Sequence, residues 1–412
     1  MFTSDELQKL PEPIVKIFQA MGNSIMNDII ARILENDMIT RQADWEIYRS
    51  IQLGESMDVI RAHIAEALNM SIDAIDYLFD DLIAEGYARD EAIYLQSGKD
   101  FIPFEKNEPL QQMISGVKEQ TLGTFKNITQ TMGFATKVNG ANQVLSVKDY
   151  LQSKLDKASM MKLNGTYDYN SLVRETVKEM TKGNVVSVDY TSGVSNKIDV
   201  AVRRALMTGI NQVTAKISED NMDKLDTEFV ETSYHSTARP THQPWQGRVF
   251  YWNKKDPNAE IDVDGVHYKS FIKETEYGDV AGLCGANCRH TFYAFVPGVS
   301  VRNYTDEELD KMNAEENITK KYNGKEYTKY EATQKQRAFE RAMRARREEI
   351  DLYKKGGLPD DSDEVIGARS KYYELSRKYK DFSKKMGLDT DMARVYNDTL
   401  GGIGKGAHTP KK

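Results

Sequence analysis

The sequence predicts a mainly α protein that contains one small α+β domain. Over most of the chain, apolar residues recur every three or four positions, which is the spacing of amphipathic helices. One stretch, 226–300, is instead rich in β-branched and aromatic residues and contains turn signals, as strands and hairpins require. The 412 residues, of which 40% are hydrophobic and 29% charged, are too many for one ordinary core. We therefore expect several domains that are built mostly from helices.

Changes in pattern along the chain divide it into five segments. Helical spacing, β-like alternation and Gly- and Lys-rich sequence mark the boundaries. The segments are a helical N-terminal domain at 1–95, a helical middle region at 96–225, a small α+β core with His and Cys at 226–300, a helical C-terminal region at 301–400 and a flexible tail at 401–412.

The N-terminal half reads as a series of helices. An apolar stripe predicts a helix over "PIVKIFQAMGNSIMNDIIARILEN", with Pro13 in its first turn. Gly54 is a predicted helix stop, and Ser56 and Ser71 are predicted N-caps of two short helices that follow. In the middle region the strongest pattern covers "KIDVAVRRALMTGINQVTAKISEDNMDKL", and "NVVSV" before it is a predicted short strand or loop.

The α+β core and the C-terminal region have clearer turn signals. The runs "TEFVETSYHS" and "RVFYW" are predicted strands, and Asp264-Gly265 is the predicted turn of a hairpin. After residue 301 the polar helical pattern returns with "YTDEELDKMNAEE", whose acidic start suits the positive end of a helix dipole. Asn323-Gly324 predicts a turn that precedes one long helix, and another helix is predicted over 363–387.

Charge and motif content narrow the possible functions. A net charge of −7 argues against general coating of nucleic acid. No run of about 18 apolar residues and no secretory signal is visible, so we expect no membrane span and a protein made in a cytoplasm. Walker, Rossmann, His-Glu-x-x-His and Gly-x-Ser-x-Gly motifs are absent, so we expect no enzyme of these common classes.

Histidines and cysteines cluster in the α+β core. Both cysteines of the chain and four of its six histidines lie between residues 235 and 290. Zinc binds thiolate and imidazole groups in a tetrahedron, so three such residues within seven positions form a candidate site for structural zinc. The candidate ligands are Cys284, Cys288, His290 and His242, with His235 as a substitute for His242.

Three other interpretations of this cluster remain open. One thiol could act as a nucleophile with a histidine as its base. The two thiols could form a disulfide, although a reducing cytoplasm disfavours one. The side chains could also pack as part of a core without any cofactor. Packing is the interpretation that the sequence favours most, because the spacing lacks the second ligand pair of the strong zinc patterns.

A basic island lies in the long helix that is predicted over 328–350. Its cations outnumber its acids although the whole protein is acidic. Solvated salt bridges explain such a helix about as well as binding to an acidic partner surface or to DNA phosphates. The candidate binding residues are Lys335, Arg337, Arg341, Arg344, Arg346 and Arg347.

Several stretches together resemble one protein family. "HSTARPTHQPWQGRVF" and "YGDVAGLCGANCRHTFYAFVPGVS", with "DWEIYRSIQLG", "SGVSNKIDVAVRRALMTGINQ" and "YNGKEYTKYEATQKQRAFERAMR", are similar to phage minor capsid protein 2 over nearly the whole chain. The wider group includes the head-morphogenesis proteins of phage Mu and its relatives. The motif positions of the family correspond here to His235, Ala238, Arg239, His242, Trp245, Gln246, Gly247, Cys284, Gly285, Asn287, Cys288, Arg289 and His290.

The resemblance implies a structural role in a tailed-phage head. It implies a low-copy virion protein that is assembled in the host cytoplasm and lies inside the capsid near the portal vertex. The implied partners are the portal protein, the major capsid or scaffolding protein and packaged DNA, with roles in head assembly and in genome packaging or ejection. The alternatives are an ejected enzyme that uses the 226–300 unit and a DNA-binding accessory protein that uses the basic helix.

Overall fold

Helices dominate the protein, as the sequence predicts. The computed structural model describes residues 2–35, 42–138, 141–163, 169–183, 185–188, 195–285, 288–396 and 399–403. Helices hold 62% of the described residues and strands 11%, which confirms the mainly α class. Among the described residues, none of the helices is both long and apolar enough to cross a bilayer.

The described helices are α1 (Ser4–Lys9), α2 (Glu12–Glu35), α3 (Gln42–Asp76), α4 (Ile83–Ala88), α5 (Glu91–Gln96), α6 (Glu108–Gln130), α7 (Val147–Leu163), α8 (Tyr169–Gly183), α9 (Ile198–Leu225), α10 (Phe271–Thr275), α11 (Asp306–Asn317), α12 (Lys329–Lys355) and α13 (Asp363–Met386). A π-helical turn covers Tyr77–Leu82 and a 3₁₀ turn covers Phe104–Lys106. The described strands are β1 (Met132–Val138), β2 (Ala141–Ser146), β3 (Val185–Val188), β4 (Ser195–Lys197), β5 (Phe229–Thr232), β6 (Val249–Tyr251), β7 (Ile261–Val263), β8 (Val266–Tyr268), β9 (Phe292–Phe295), β10 (Lys320–Tyr322) and β11 (Lys325–Tyr327).

The chain forms two compact units, each made from three separate segments. The first unit comprises Met1–Pro13, Ile72–Thr124 and Arg203–Thr333. The second unit comprises Ile14–Ser71, Phe125–Val202 and Gln334–Lys412. The predicted α+β core, 226–300, lies wholly within the first unit, where it is joined by helices from distant parts of the sequence.

The core of the first unit is built on a three-stranded antiparallel sheet. Its strand order is β6-β5-β9, with Val230 of the central strand opposite Phe250 on one side and Ala294 on the other. Apolar side chains from the sheet, α9, α10 and the connecting loops form one buried cluster. Its buried members are Ala215, Met222, Val230, Trp245, Phe250, Trp252, Phe271, Leu283, Cys288 and Phe292.

Both predicted turns in the first unit are confirmed. Asp264 and Gly265 join β7 to β8 with φ angles of 51° and 80°. Asn323 and Gly324 join β10 to β11 with φ angles of 47° and 84°. Two successive residues with positive φ match the twist of a two-residue hairpin, which is why Asx-Gly pairs are such strong signals.

The second unit contains a four-stranded sheet of which the sequence analysis predicted only β3, as the short strand or loop in "NVVSV". It has the order β2-β1-β3-β4, and every pairing is antiparallel. Two residues separate β1 from β2, and they are Asn139 and Gly140, which lie outside the described residues. The Asn-Gly pair is itself a hairpin signal, which the sequence analysis did not use.

Three predicted boundaries near the N-terminus are wrong. Gly54, Ser56 and Ser71 all lie in the interior of α3, and the chain continues as helix where a stop and two caps were expected. Both serines are buried and bond elsewhere: Ser56 donates to the carboxylate of Asp28 on α2, and Ser71 donates to the carbonyl of Leu68 at 2.7 Å. Tertiary packing against α2 therefore outweighs the local preference of serine for a cap.

Candidate metal centre

Three predicted ligands come together in the interior of the first unit. The side chains of His242, Cys288 and His290 are each at most 2% exposed, and their ligand atoms lie within 4.8 Å of one another. The two imidazole Nδ1 atoms are 3.3 Å apart. The Sγ atom of Cys288 lies 3.8 Å from Nδ1 of His242 and 3.6 Å from Nδ1 of His290.

The sheet explains why residues so distant in sequence meet. Strand β5 pairs antiparallel with both β6 and β9, with Glu231 opposite Val249 and Thr232 opposite Phe292. The loop that leaves β5 and the loop that enters β9 therefore lie at the same end of the sheet. The first loop, 233–248, carries His242, and the residues just before β9 carry Cys288 and His290.

Hydrogen bonds fix which nitrogen of each ring carries the proton. Nε2 of His242 lies 3.0 Å from the carbonyl oxygen of Ala281, which can only accept. Nε2 of His290 lies 3.1 Å from Oε1 of Gln246, and the same Oε1 also accepts from the backbone N–H of His235. Both Nε2 atoms must therefore donate, and in the neutral rings both Nδ1 atoms present lone pairs toward Cys288.

The amide of Gln246 is itself held by residues beyond the cluster. Its Nε2 donates to Oδ1 of Asn313 at 3.0 Å, and Nδ2 of Asn313 donates to the carbonyl of Gln243 at 2.8 Å. Asn313 lies on α11, so this helix sets the orientation of the acceptor that faces His290. Gln246 itself is completely buried.

Two other predicted ligands lie beside the cluster and outside it. His235 stacks on the ring of His290 with centroids 4.2 Å apart, and its Nδ1 lies 3.0 Å from the carbonyl of Ser236. The Sγ of Cys284 faces the backbone carbonyl of His290 at 3.6 Å. Within the part of the chain that the structure describes, neither joins the group of mutually close ligand atoms. Asn287, another family motif position, lies outside the described residues.

The cysteine loop is folded tightly against helix α9. Nδ2 of Asn211 donates to the carbonyl oxygens of both Cys284 and Cys288 at 3.4 Å. A side chain at Gly285 would place its Cβ only 2.4 Å from the carbonyl oxygen of Val280, so only glycine permits this close approach. The described residues of the loop are thus held by Asn211 on one side and by the close approach at Gly285 on the other.

Burial shifts the acid–base properties of the cluster toward neutral groups. Burial lowers the pKa of His290 well below its usual range and also lowers the pKa of His242. Burial raises the pKa of Cys288, and it raises the pKa of Cys284 well above the usual range. Both cysteines are free thiols, so the disulfide interpretation has no support here. A protonated, buried thiol is also a poor nucleophile, which weakens the catalytic interpretation.

The predicted basic residues of α12 have different surroundings. Lys335 and Arg341 are exposed, whereas Arg347 is only 3% exposed. Arg347 donates to the carbonyl of Leu400 at 2.9 Å and lies over the ring of Tyr396. The remaining predicted residues are partly buried: Arg337, Arg344 and Arg346.

Sequence reasoning missed the residues that support the cluster from other elements. Asn211 of α9 contacts a loop more than 70 positions away, and Asn313 acts through a second side chain. The role of the Ala281 carbonyl could not be predicted from the sequence, because every residue has a backbone carbonyl. Gln246 was available as a position of the family motif, although no role could be given to it.

Comparison with known families supplies the remaining evidence. A family model described as phage minor capsid protein 2 matches residues 2–383, which is nearly the whole chain and includes the entire His/Cys cluster. No curated protein and no solved structure showed significant similarity to the chain.

Proposed function

The chain belongs to the phage minor capsid protein 2 family and is a structural protein of the phage virion, and we propose that it is a low-copy protein inside the head, near the portal vertex. In this role it contacts the portal protein and the major capsid or scaffolding protein during head assembly. The observation that carries the proposal is the extent of the family match. The matched range covers nearly all of the first unit, including the buried His/Cys cluster, and the second unit as far as residue 383, so the capsid role concerns nearly the whole chain.

A cleft in the first unit is suited to docking another head protein. It has a volume of about 440 Å³ and is lined by apolar side chains that include Ile93, Phe295 and Val301. Val301 is 88% exposed, so a partner that covers it would bury apolar surface. Arg89, Asp90 and Glu231 also line the cleft, so charges of both signs surround its apolar side chains.

A substitution in the cleft tests this assembly role. Val301→Asp should lower the amount of the protein in purified heads several-fold, because it places a charge in the proposed contact. Val266→Asp is the matched control, since Val266 is 49% exposed on a hairpin away from the cleft lining. Quantitative mass spectrometry of virions measures both, and a reconstruction without imposed symmetry locates the chain. Normal incorporation of Val301→Asp would contradict docking through the cleft, and density away from the portal vertex would contradict the location.

Contact with packaged DNA is a second candidate function, favoured by the basic residues of α12. Lys335 and Arg341 are exposed, and Arg341 and Arg344 line a small notch together with Lys197. Exposed cations of this kind can bind phosphates without reading sequence. The acids Asp199 and Glu348 line the same notch, so the expected binding is weak and local.

The salt dependence of DNA binding tests this second function. The double variant Lys335→Glu/Arg341→Glu should reduce the salt slope of binding to double-stranded DNA by about two, one for each lost phosphate contact. Lys378→Glu provides the control, because Lys378 is an exposed residue of α13 that pairs with Glu374 at 2.6 Å. Equal slopes for all three proteins would exclude phosphate binding through α12.

A further inference from the structure

We propose that the first unit binds one zinc ion through Nδ1 of His242, Nδ1 of His290 and Sγ of Cys288. This site goes beyond the capsid role and does not depend on where the protein lies in the head. The three ligand atoms come from two loops at one end of the β6-β5-β9 sheet, so the ion would join these loops. The inference rests on three observations: the separations of the three ligand atoms, the positions of the ring protons, and the hydrogen bonds that the two Nε2 atoms make outside the cluster.

The separations of the three atoms match three corners of a zinc tetrahedron. With Zn–N bonds of about 2.05 Å and a Zn–S bond of about 2.3 Å, tetrahedral angles separate two nitrogens by about 3.3 Å and a nitrogen from sulfur by about 3.6 Å. The observed separations are 3.3 Å between the nitrogens and 3.6 and 3.8 Å from nitrogen to sulfur. The three side chains therefore need almost no movement to bind the ion.

Counting protons shows that the cluster needs a cation. The carbonyl of Ala281 and Oε1 of Gln246 each require a proton on the Nε2 that faces them, which leaves two Nδ1 lone pairs 3.3 Å apart. The thiol of Cys288 has a single proton and can donate to only one of them. Among the described residues no donor is left for the other lone pair, and an unsatisfied buried lone pair is costly in a protein interior. One metal ion satisfies both nitrogens and the sulfur together.

The outer hydrogen bonds are those that orient zinc ligands. Metal-bound histidines usually donate their other ring N–H to a carbonyl or carboxyl oxygen, as His242 and His290 both do here. The backbone N–H of His290 points to Sγ of Cys288 at 3.4 Å and would stabilise the thiolate. A set of two imidazoles and one thiolate suits zinc better than magnesium or calcium, which prefer oxygen.

Cys284 is not assigned as a ligand, although it is close. Its Sγ faces the carbonyl of His290, and among the described His, Cys, Asp and Glu side chains none completes a fourth corner with the other three. The described residues therefore supply three ligands. This distinguishes the proposed site from a four-residue structural site that would include both thiols.

The test measures zinc in the full-length protein and in two matched cysteine variants. Wild-type protein, purified without chelator and dialysed against metal-free buffer, should retain about one zinc per chain by elemental analysis. Cys288→Ser should lose the bound zinc, whereas Cys284→Ser should retain it. Zinc-edge X-ray absorption of the wild type should show one sulfur and two imidazole nitrogens around the ion.

Each alternative result overturns a stated part of the proposal. Wild-type protein that contains no zinc and binds neither added zinc nor added cobalt(II) would exclude the site. Loss of zinc from both variants, or two sulfurs around the ion, would overturn the three-residue assignment. If Cys288→Ser does not fold, the absorption spectrum of the cobalt(II)-loaded wild-type protein still tests for a thiolate ligand, because thiolate-bound cobalt(II) has a charge-transfer band in the near ultraviolet. The same band in cobalt(II)-loaded Cys284→Ser would then assign the thiolate to Cys288.

Discussion

Two buried polar networks, one in each unit, satisfy their hydrogen-bonding groups in different ways. In the second unit, the hydroxyl of Tyr379 donates to Oε1 of Glu340 at 3.0 Å and accepts from the backbone N–H of Asp391 at 2.7 Å. Nearby, Nε2 of Gln336 donates to the carbonyl of Asp389 at 2.7 Å. Each of these donors faces an acceptor. The network is therefore satisfied by groups of α12, of α13 and of the segment that follows α13.

In the network of the first unit, the buried acceptors outnumber the donors that face them. The outer nitrogens of His242 and His290 have acceptors, but their inner nitrogens face each other and share one thiol proton. The comparison shows that burial and hydrogen bonding alone do not indicate a ligand site, since both networks have them. A surplus of lone pairs in a fixed triangle does indicate one. The two units should therefore respond differently to metal removal and to loss of a hydrogen bond.

Metal removal should give the largest difference between the units. A strong chelator should expose the backbone amides of 288–295 to hydrogen exchange, because the ion that joins the two loops is lost. When free zinc is about 1,000 times its Kd, binding stabilises the folded state by about 4 kcal/mol. Hydrogen exchange with mass spectrometry measures this, with peptides of α13 as the internal control. Equal changes in both regions, or none in 288–295, would contradict the comparison.

Much of the helical framework could be predicted from the sequence, because helical periodicity is a local signal. The pattern from Ile198 to Leu225 and the two Asx-Gly turns show this. The helix stop at Gly54 was wrong, because packing against α2 is a tertiary effect. The five predicted segments follow chain order, whereas each compact unit gathers three distant segments, and composition cannot indicate such proximity.

The candidate site could be predicted in part, because spacing and clustering of ligand residues are local signals in the sequence. Spacing brought Cys288 and His290 together, and clustering in sequence suggested His242. Spacing also suggested Cys284, but its thiol faces the carbonyl of His290 and not the two inner nitrogens. Which thiol faces the histidines depends on the loop conformation, and that is fixed by Asn211, a residue of another element.

Loss of the acceptor behind His290 should have the next largest effect. Gln246→Leu removes Oε1, frees the His290 ring to rotate and should weaken zinc binding about 10- to 100-fold. Gln246→Glu retains an acceptor oxygen for His290 but loses the donor to Asn313, so it should weaken zinc binding less than Gln246→Leu does. Competition with a chromophoric chelator measures both affinities. Equal affinities for the Leu variant and the wild type would show that the outer hydrogen bond does not orient the ligand.

A hydrogen-bond deletion in the second unit should have a smaller and purely structural effect. Tyr379→Phe leaves the buried carboxyl of Glu340 without this donor and should reduce the stability of the second unit by about 1–3 kcal/mol. Zinc content should not change. Hydrogen exchange of α13 and elemental analysis provide the two measurements. Tyr373→Phe is the control, because the Tyr373 side chain is 37% exposed and its loss should cost less.

The smallest effect concerns the pH dependence of that same network. Burial raises the pKa of Glu340 above its usual value, and this outweighs the opposing hydrogen bond from Tyr379. A carboxyl whose folded-state pKa is raised adds stability below its unfolded pKa of about 4.5, and this stability is lost as pH rises through the folded-state pKa. Glu340→Gln keeps an acceptor for Tyr379 and removes the ionisation. The variant should therefore lose less stability than the wild type between pH 4.5 and pH 7, as measured by hydrogen exchange of α13.

Glu374→Gln is the informative control for this last effect. Glu374 is a surface carboxyl on α13, and its hydrogen bond from Lys378 lowers its pKa, so its contribution has the opposite sign and is lost as pH falls. If the two variants changed the pH profile in the same direction, the raised pKa of Glu340 would be wrong. Opposite directions would show that the second unit retains a buried, ionisable carboxyl on protein hydrogen bonds alone, in contrast to the zinc-binding cluster that we propose for the first unit.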